Sequence, residues 1–109
     1  MTTVYKVLGQ QTPSANTMTT LYTVPAGNAA VISTIAICNQ TGANAAVGIA
    51  VCPANTTVTT SQYVVKDAVI TTSDTIFLTL GVTVAATDTV RVISDSANVS
   101  FNAFGSEIY

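Results

Sequence analysis

The sequence lacks histidine and tryptophan, and charged side chains make up only 7% of its 109 residues. Without histidine, nucleophiles of the Ser-His and Cys-His kind are excluded, and two cysteines alone offer a zinc ion too few ligands. The acids Asp74, Asp88 and Asp95 fall at predicted turns, where an aspartate accepts hydrogen bonds from backbone amides. We therefore expect that the chain is not an enzyme and has no catalytic residue, no cofactor and no metal ion.

Basic residues are equally scarce: Lys6, Lys66 and Arg91 are scattered along the chain, and the net charge is −2. Nucleic-acid binding needs a basic cluster to neutralise phosphates, so we do not expect it. The apolar stretches Ala29–Cys38 and Ala45–Cys52 reach about half the length of a membrane span. The first residues show no basic region followed by an apolar run. We therefore expect no membrane segment and no signal peptide, and synthesis in a cytosol.

The low content of charged residues also has a consequence for the surface of the protein. Soluble domains usually carry about 25% charged residues, and a monomer needs such charges to stay apart from its neighbours. Threonine, alanine, valine and asparagine take their place here, and such residues suit a pleated, half-buried surface. The composition favours a chain whose surface is largely covered by partners.

The two cysteines, Cys38 and Cys52, raise the question of a disulfide. If residues 31–39 and 45–52 form a hairpin, Cys38 lies opposite a residue near position 46 and Cys52 opposite one near position 32. That separation along the ladder is too large for a disulfide. We predict two buried free thiols that act as small hydrophobic side chains.

The hydrophobic pattern is that of strands, with no helical spacing, and turn signals recur about every 8–12 residues. It predicts a single all-β domain, residues 1–109, built as a two-layer antiparallel β-sandwich that is jelly-roll-like and has about eight strands. An immunoglobulin-like arrangement is the alternative. The predicted strands are Val4–Leu8, Thr20–Val24, Ala29–Asn39, Ala45–Cys52, Gln62–Ile70, Thr75–Leu80, Val82–Val84, Thr89–Ser94 and Val99–Phe104.

Three of these strands carry further information. Residues 29–39 are apolar on both parities, which predicts a central or otherwise covered strand. The charged pair Lys66 and Asp67 in the middle of residues 62–70 suits the edge of a sheet. Gly81 separates two apolar segments, and we expect a bulge or bend there.

The chain has few aromatic residues, yet Phe101, Phe104 and Tyr109 all fall in its last nine positions. In one interpretation, Phe101 packs in the sandwich core and Phe104 against the opposite layer. In the other, Phe104, Ile108 and Tyr109 lie on a surface that another subunit covers, since aromatic residues are enriched in interface cores. The low charge favours the second interpretation for the segment after Phe104.

Several segments, YKVLGQ, LYTVPAGNAAVISTIAICNQTGANA, TLGVTVAATDTVRV and NVSFNAFGSEI, resemble a family of small virion structural proteins of tailed bacteriophages of the marine and cyanobacterial type. The resemblance covers nearly the whole chain. Its sharpest parts are residues 21–25, residues 80–84 followed by Asp88, and Phe101-x-x-Phe104-Gly105. These are patterns of strands and turns, and none is a catalytic signature.

The resemblance implies an all-β subunit of the virion, made in the cytoplasm of the host bacterium. The role it implies is that of a capsid decoration, or cement, protein, which stabilises the shell by binding energy alone. Its partners would be the major capsid protein or other virion proteins, and it would form a homo-oligomer, expected to be a trimer. The candidate subunit interface comprises Tyr22, Pro25, Phe104, Ile108 and Tyr109.

Two alternatives stay open. One is a structural protein associated with the tail, the baseplate or a fibre. The other is a module that binds host glycans, for which Tyr22 and Tyr63 are the aromatic candidates. Under the decoration hypothesis, deletion of Gly105–Tyr109 is predicted to leave a folded subunit that binds particles poorly.

Overall fold

The computed structural model describes the backbone of residues 1–109 and all side chains except that of Leu80. Two short 3₁₀ helices, Pro53–Asn55 and Thr60–Gln62, join the fourth and fifth strands. In this described part of the chain, no helix is long and apolar enough to cross a membrane. The strands are β1 (Thr3–Gln11), β2 (Thr19–Thr23), β3 (Ala29–Asn39), β4 (Ala45–Cys52), β5 (Tyr63–Ile70), β6 (Thr75–Val84), β7 (Thr89–Ser94) and β8 (Val99–Ile108).

The strands form two antiparallel sheets of four strands each. Sheet A has the order β1-β8-β3-β6 and sheet B has the order β2-β7-β4-β5. Chain neighbours therefore alternate between the sheets at most connections, and the resulting order is that of an eight-stranded jelly roll. The predicted two-layer sandwich is confirmed.

The predicted hairpin of residues 31–39 and 45–52 is wrong, because β3 lies in sheet A and β4 in sheet B. Both cysteines are free, but only Cys52 is fully buried. Cys38 pairs with Ser100 and Thr75 on the outward side of sheet A and is partly exposed. The prediction of two buried thiols is therefore correct for Cys52 alone.

The core lies between the sheets and is built around β3. The register of β3 shifts at Ser33, where the strand has one residue more than β8 opposite it. This bulge turns Ile32, Ile35 and Ile37 to the same inward side, and each is at most 1% exposed. A buried aliphatic side chain of this size contributes about 1.5–3 kcal/mol. The bulge thus explains why β3 is apolar on both parities in the sequence.

Three predicted details of the sheets are confirmed. β3 is a central strand, between β8 and β6, and β5, with Lys66 and Asp67, is an edge strand of sheet B. At Gly81, φ is +62°, and β6 has two residues opposite the single Ser33 of β3. Such a bulge interrupts the regular pairing of the two strands, and its positive φ favours glycine.

Candidate functional site

Among the side chains that the structure describes, none on the outer face of sheet A is charged. The four strands of this sheet contain only two charged residues, Lys6 and Glu107. The register places both on the inward parity, because Lys6 is opposite Gly105 and Glu107 is opposite Ala30 of the core. A whole four-stranded face without charge is unusual for a surface that stays in water.

Large apolar side chains are exposed on this same face. Tyr5 is 84% exposed, Val7 47%, Phe77 69% and Phe104 36%. Val7 pairs with Phe104 across β1 and β8, and Phe77 pairs with Ala36 across β6 and β3. We call the outward-facing residues of β1, β8, β3 and β6 the apolar face.

Of the residues predicted for an interface, Phe104 and Ile108 lie on the apolar face. Tyr109 is 54% exposed and follows directly after β8, where its amide donates to the Thr2 carbonyl at 2.9 Å. Pro25 is exposed in the turn between β2 and β3. The prediction of these four residues as interface residues stays a prediction.

The position of Tyr22 differs from the predicted one at an interface. Tyr22 is 6% exposed and faces the core, because the register of β2 shifts between Thr20 and Tyr22 and turns the ring inward. Its hydroxyl donates to Glu107 Oε2 at 2.5 Å. Tyr22 therefore cannot contact a partner subunit or a glycan without unfolding of the interior.

The C-terminal segment has a different role from the one expected. β8 continues to Ile108, and residues 105–108 pair with β1 on one side and β3 on the other. Deletion of residues 105–109 would remove four of the ten residues of this central strand and the partners of residues 3–6 of β1. Because residues 105–108 are paired within sheet A, we expect the deletion to destabilise the subunit, in contrast to the predicted folded truncation. Phe101 is fully buried, as the core interpretation holds, whereas Phe104 is on the surface.

Tyr5, Val7 and Phe77 were not predicted as surface residues. Thr3, Tyr5 and Val7 lie on one parity of β1 and therefore share a face of the strand. Whether that face points outward depends on the pairing with the partner strand. Phe77 lies in a segment that is apolar on both parities, so the sequence does not distinguish its two faces.

Behind the apolar face, Glu107 forms a partly buried polar network. It accepts hydrogen bonds from Tyr22 and, at 3.2 Å, from Lys6 Nζ. The hydrogen bond from Tyr22 lowers the pKa of Glu107, burial opposes this, and Lys6 lowers the pKa further. Burial first, and then the bond to Glu107 and its charge, raise the pKa of Tyr22 above its ordinary range. Glu107 is thus held as a carboxylate and Tyr22 as a neutral donor.

The predicted role of the turn aspartates is confirmed. Asp74 accepts from the amide of Thr75 at 2.9 Å, and Asp88 accepts from the amide of Ala85 at 2.9 Å. Asp95 accepts from the amide of Ala46 at 2.9 Å. Across the described side chains, no group of three metal-ligating residues comes together.

Comparison with solved structures shows a structural likeness to a phage protein. No family model matches the chain, and no curated protein matches it. The chain is similar to a pentameric capsid protein isolated from metagenomic phage sequences, with 17% identity and a TM-score of 0.33. The match covers 97% of this chain and 61% of the capsid protein, so the chain spans less than two thirds of that protein's length.

Proposed function

We propose that the chain is a structural subunit of a phage particle, that it decorates the capsid, and that the apolar face is the surface it binds with. One observation carries the proposal: a four-stranded sheet presents no outward charge and exposes Tyr5, Val7, Phe77 and Phe104. Interface cores are depleted in charged residues and enriched in aromatic ones. Exposed apolar patches of this kind mark interaction surfaces in folded proteins.

The apolar face is large enough for a specific interface. Strands lie about 4.8 Å apart and rise about 3.3 Å per residue, so four strands of about ten residues give a face of roughly 20 by 30 Å. Its area of roughly 600 Å² approaches the ~800 Å² per partner that a standard interface buries. The face alone therefore supplies most of the contact that one partner requires.

The mechanism is binding energy and needs no catalysis. A subunit that binds the assembled shell, and binds separate shell proteins less well, stabilises the shell by mass action. Many copies around a shell add their contributions. The resemblance of the sequence to small virion proteins of tailed phages supports this role, and it implies a homo-oligomer, expected to be a trimer.

Copy number in purified particles tests the location. We expect quantitative mass spectrometry to find this chain in numbers comparable to the major capsid protein. A copy number tens of times lower would place it at the tail or a vertex and would overturn the decoration role.

A charge placed on the apolar face tests the binding surface. Phe77→Lys should abolish particle binding while the subunit stays folded, because the new charge loses its water at the interface. Val69→Lys is the matched control, since Val69 is 64% exposed on β5, an edge strand of sheet B. Equal binding by both variants would show that the apolar face is not the contact surface.

A further inference from the structure

A groove lies on the outer face of sheet B, on the side of the sandwich opposite to the apolar face. It consists of two adjoining cavities of about 590 and 200 Å³, and Tyr63 and Lys66 line both of them. The larger cavity is bounded by residues 57–60, Met18 and Arg91 as well. Its volume is within the range of roughly 300–1,000 Å³ that small-ligand sites occupy.

The wall of the larger cavity is held in place by the rest of the sheet. Arg91, on β7, donates to the carbonyl of Thr56 at 2.9 Å and to Asn55 Oδ1 at 2.6 Å. Asp88 accepts from the amide of Ala54 at 2.8 Å. These bonds fasten the segment between β4 and β5 across the outer face of sheet B. A fixed wall lowers the conformational entropy that this segment would lose when a ligand binds.

The floor of the groove depends on Gly48. A Cβ at this position would come within 3.1 Å of Ile93 and 3.4 Å of the Tyr63 ring. The tight contact is the one with Ile93, so the absence of a side chain at residue 48 leaves room for Ile93 beside the Tyr63 ring. Lys66 Nζ is 5.1 Å from the centroid of this ring, within the distance of a cation–π contact.

The two cavities differ in charge: the larger one is lined by Lys66 and Arg91, whereas the smaller one is lined by Lys66 together with Asp67 and Asp95. Lys66 and Arg91 are two of the chain's three basic residues, and no carboxylate lines the larger cavity. Arg91 forms no ion pair with any described side chain; its guanidinium contacts neutral acceptors. Lys66 has an ion pair with Asp67 at 3.5 Å, but both side chains are more than half exposed, so the pair is weak.

The remaining lining is suited to a ligand rich in hydroxyl groups. Thr57, Thr59 and Thr60 contribute hydroxyls that can both donate and accept hydrogen bonds, and Tyr63 adds an aromatic surface with a phenol. The two cations can supply charge-assisted hydrogen bonds to a carboxylate. Nucleic acid is a poor fit, because it requires a run of phosphate contacts that two cations cannot provide.

We propose that the larger cavity of this groove binds an acidic saccharide, a sugar that carries a carboxylate, with Arg91 and Lys66 facing the carboxylate and Tyr63 packing against the ring. The inference does not depend on the capsid role, because the groove and the apolar face lie on different sheets. A subunit attached through sheet A would present the groove outward, where it could hold the particle to an acidic glycan surface.

Isothermal titration with defined oligosaccharides tests the proposal on the full chain. The acidic probe is a hyaluronan hexasaccharide, and the neutral probe is maltohexaose. We expect binding of the acidic probe, weakened about tenfold or more by Lys66→Gln and by Tyr63→Ala, a loss of at least about 1.4 kcal/mol. Lys6→Gln is the matched control, since it removes the same charge at a position outside the groove.

Each other outcome overturns a stated part of the proposal. Equal affinity for the neutral probe would show that the two cations do not contribute to binding. Binding of an oligothymidylate as tight as that of hyaluronan would identify a general polyanion surface. No binding of hyaluronan, alginate or polysialic acid oligomers at millimolar concentration would exclude an acidic-saccharide site. Thermal unfolding of each variant shows whether a lost affinity reflects the groove or the fold.

Discussion

Tyr22 and Glu107 are joined across the interior by a hydrogen bond of 2.5 Å between the phenol and the carboxylate. Tyr22 belongs to β2, at the edge of sheet B, and Glu107 to β8, inside sheet A. The bond therefore links the two sheets directly. It also fixes the orientation of the β8 segment whose other side forms part of the apolar face.

Tyr22→Phe should destabilise the fold without changing its architecture. The variant keeps the ring but leaves Glu107, which is 6% exposed, with Lys6 as its remaining side-chain partner. Loss of a hydrogen bond to a buried charged group costs about 1–3 kcal/mol. Urea unfolding measures the change. Tyr5→Phe is the control, because Tyr5 is 84% exposed, and it should change the free energy of unfolding by less than about 0.5 kcal/mol.

Stability should fall in acid because of Glu107. Its pKa in the folded chain is lowered, first by the hydrogen bond from Tyr22, so the folded state releases the proton more readily than the unfolded state. The resulting stabilisation is present above the unfolded pKa of about 4.3 and is lost as the pH falls through the lower folded value. Unfolding free energies measured across this window should show a slope. Glu107→Gln should reduce that slope, and an unchanged slope would assign the acid sensitivity to other carboxylates.

Gly105→Ala should disrupt the centre of sheet A. A Cβ at residue 105 would overlap the carbonyl group of Val31 on the adjacent β3. Since β8 is held between β1 and β3, neither strand can move away freely, and we expect a loss of at least about 2 kcal/mol. Gly42→Ala is the control, because a Cβ there meets nothing within 4 Å. Similar melting temperatures for the two variants would contradict the close packing at Gly105.

The sequence predicts the presence of each strand more accurately than the residues at which the strand begins and ends. The bounds of β3, β4 and β7 agree with the prediction, since each strand is a dense apolar run closed by turn residues. β8 was predicted to end at Phe104, because Gly105, Ser106 and Glu107 are weak strand formers. Pairing with strands on both sides overrides this propensity in the fold.

The two faces of the molecule were harder to predict. The bulge at Ser33 reverses the parity of β3, and neither glycine nor proline marks that position. A short connection between β3 and β4 suggested a hairpin, whereas the chain crosses between the sheets there. Which side of a strand faces out depends on these long-range pairings. The apolar face, with Tyr5 and Phe77, consequently became visible only in the structure.

Asn39 marks the crossing between β3 and β4. It is 1% exposed, and its amide nitrogen contacts the carbonyl oxygens of Ala43 at 2.9 Å, Ile70 at 3.0 Å and Thr71 at 3.2 Å. Its amide oxygen accepts from the backbone amide of Thr41 at 3.0 Å. One side chain thus ties the end of β3 in sheet A to the end of β5 in sheet B.

Asn39→Asp exchanges only the side-chain NH2 group for an oxygen, yet we expect it to be among the most destabilising substitutions of this small size in the chain. The substitution replaces the donor by a carboxylate oxygen and places negative charge against the carbonyls of Ile70 and Thr71. We expect a loss of at least about 2 kcal/mol in urea unfolding. Asn44→Asp is the control, because Asn44 is exposed and its side-chain oxygen accepts from the amide of Thr72 at 3.2 Å, a role that a carboxylate keeps. If both variants unfold at the same urea concentration, the crossing is held by backbone pairing and Asn39 contributes little.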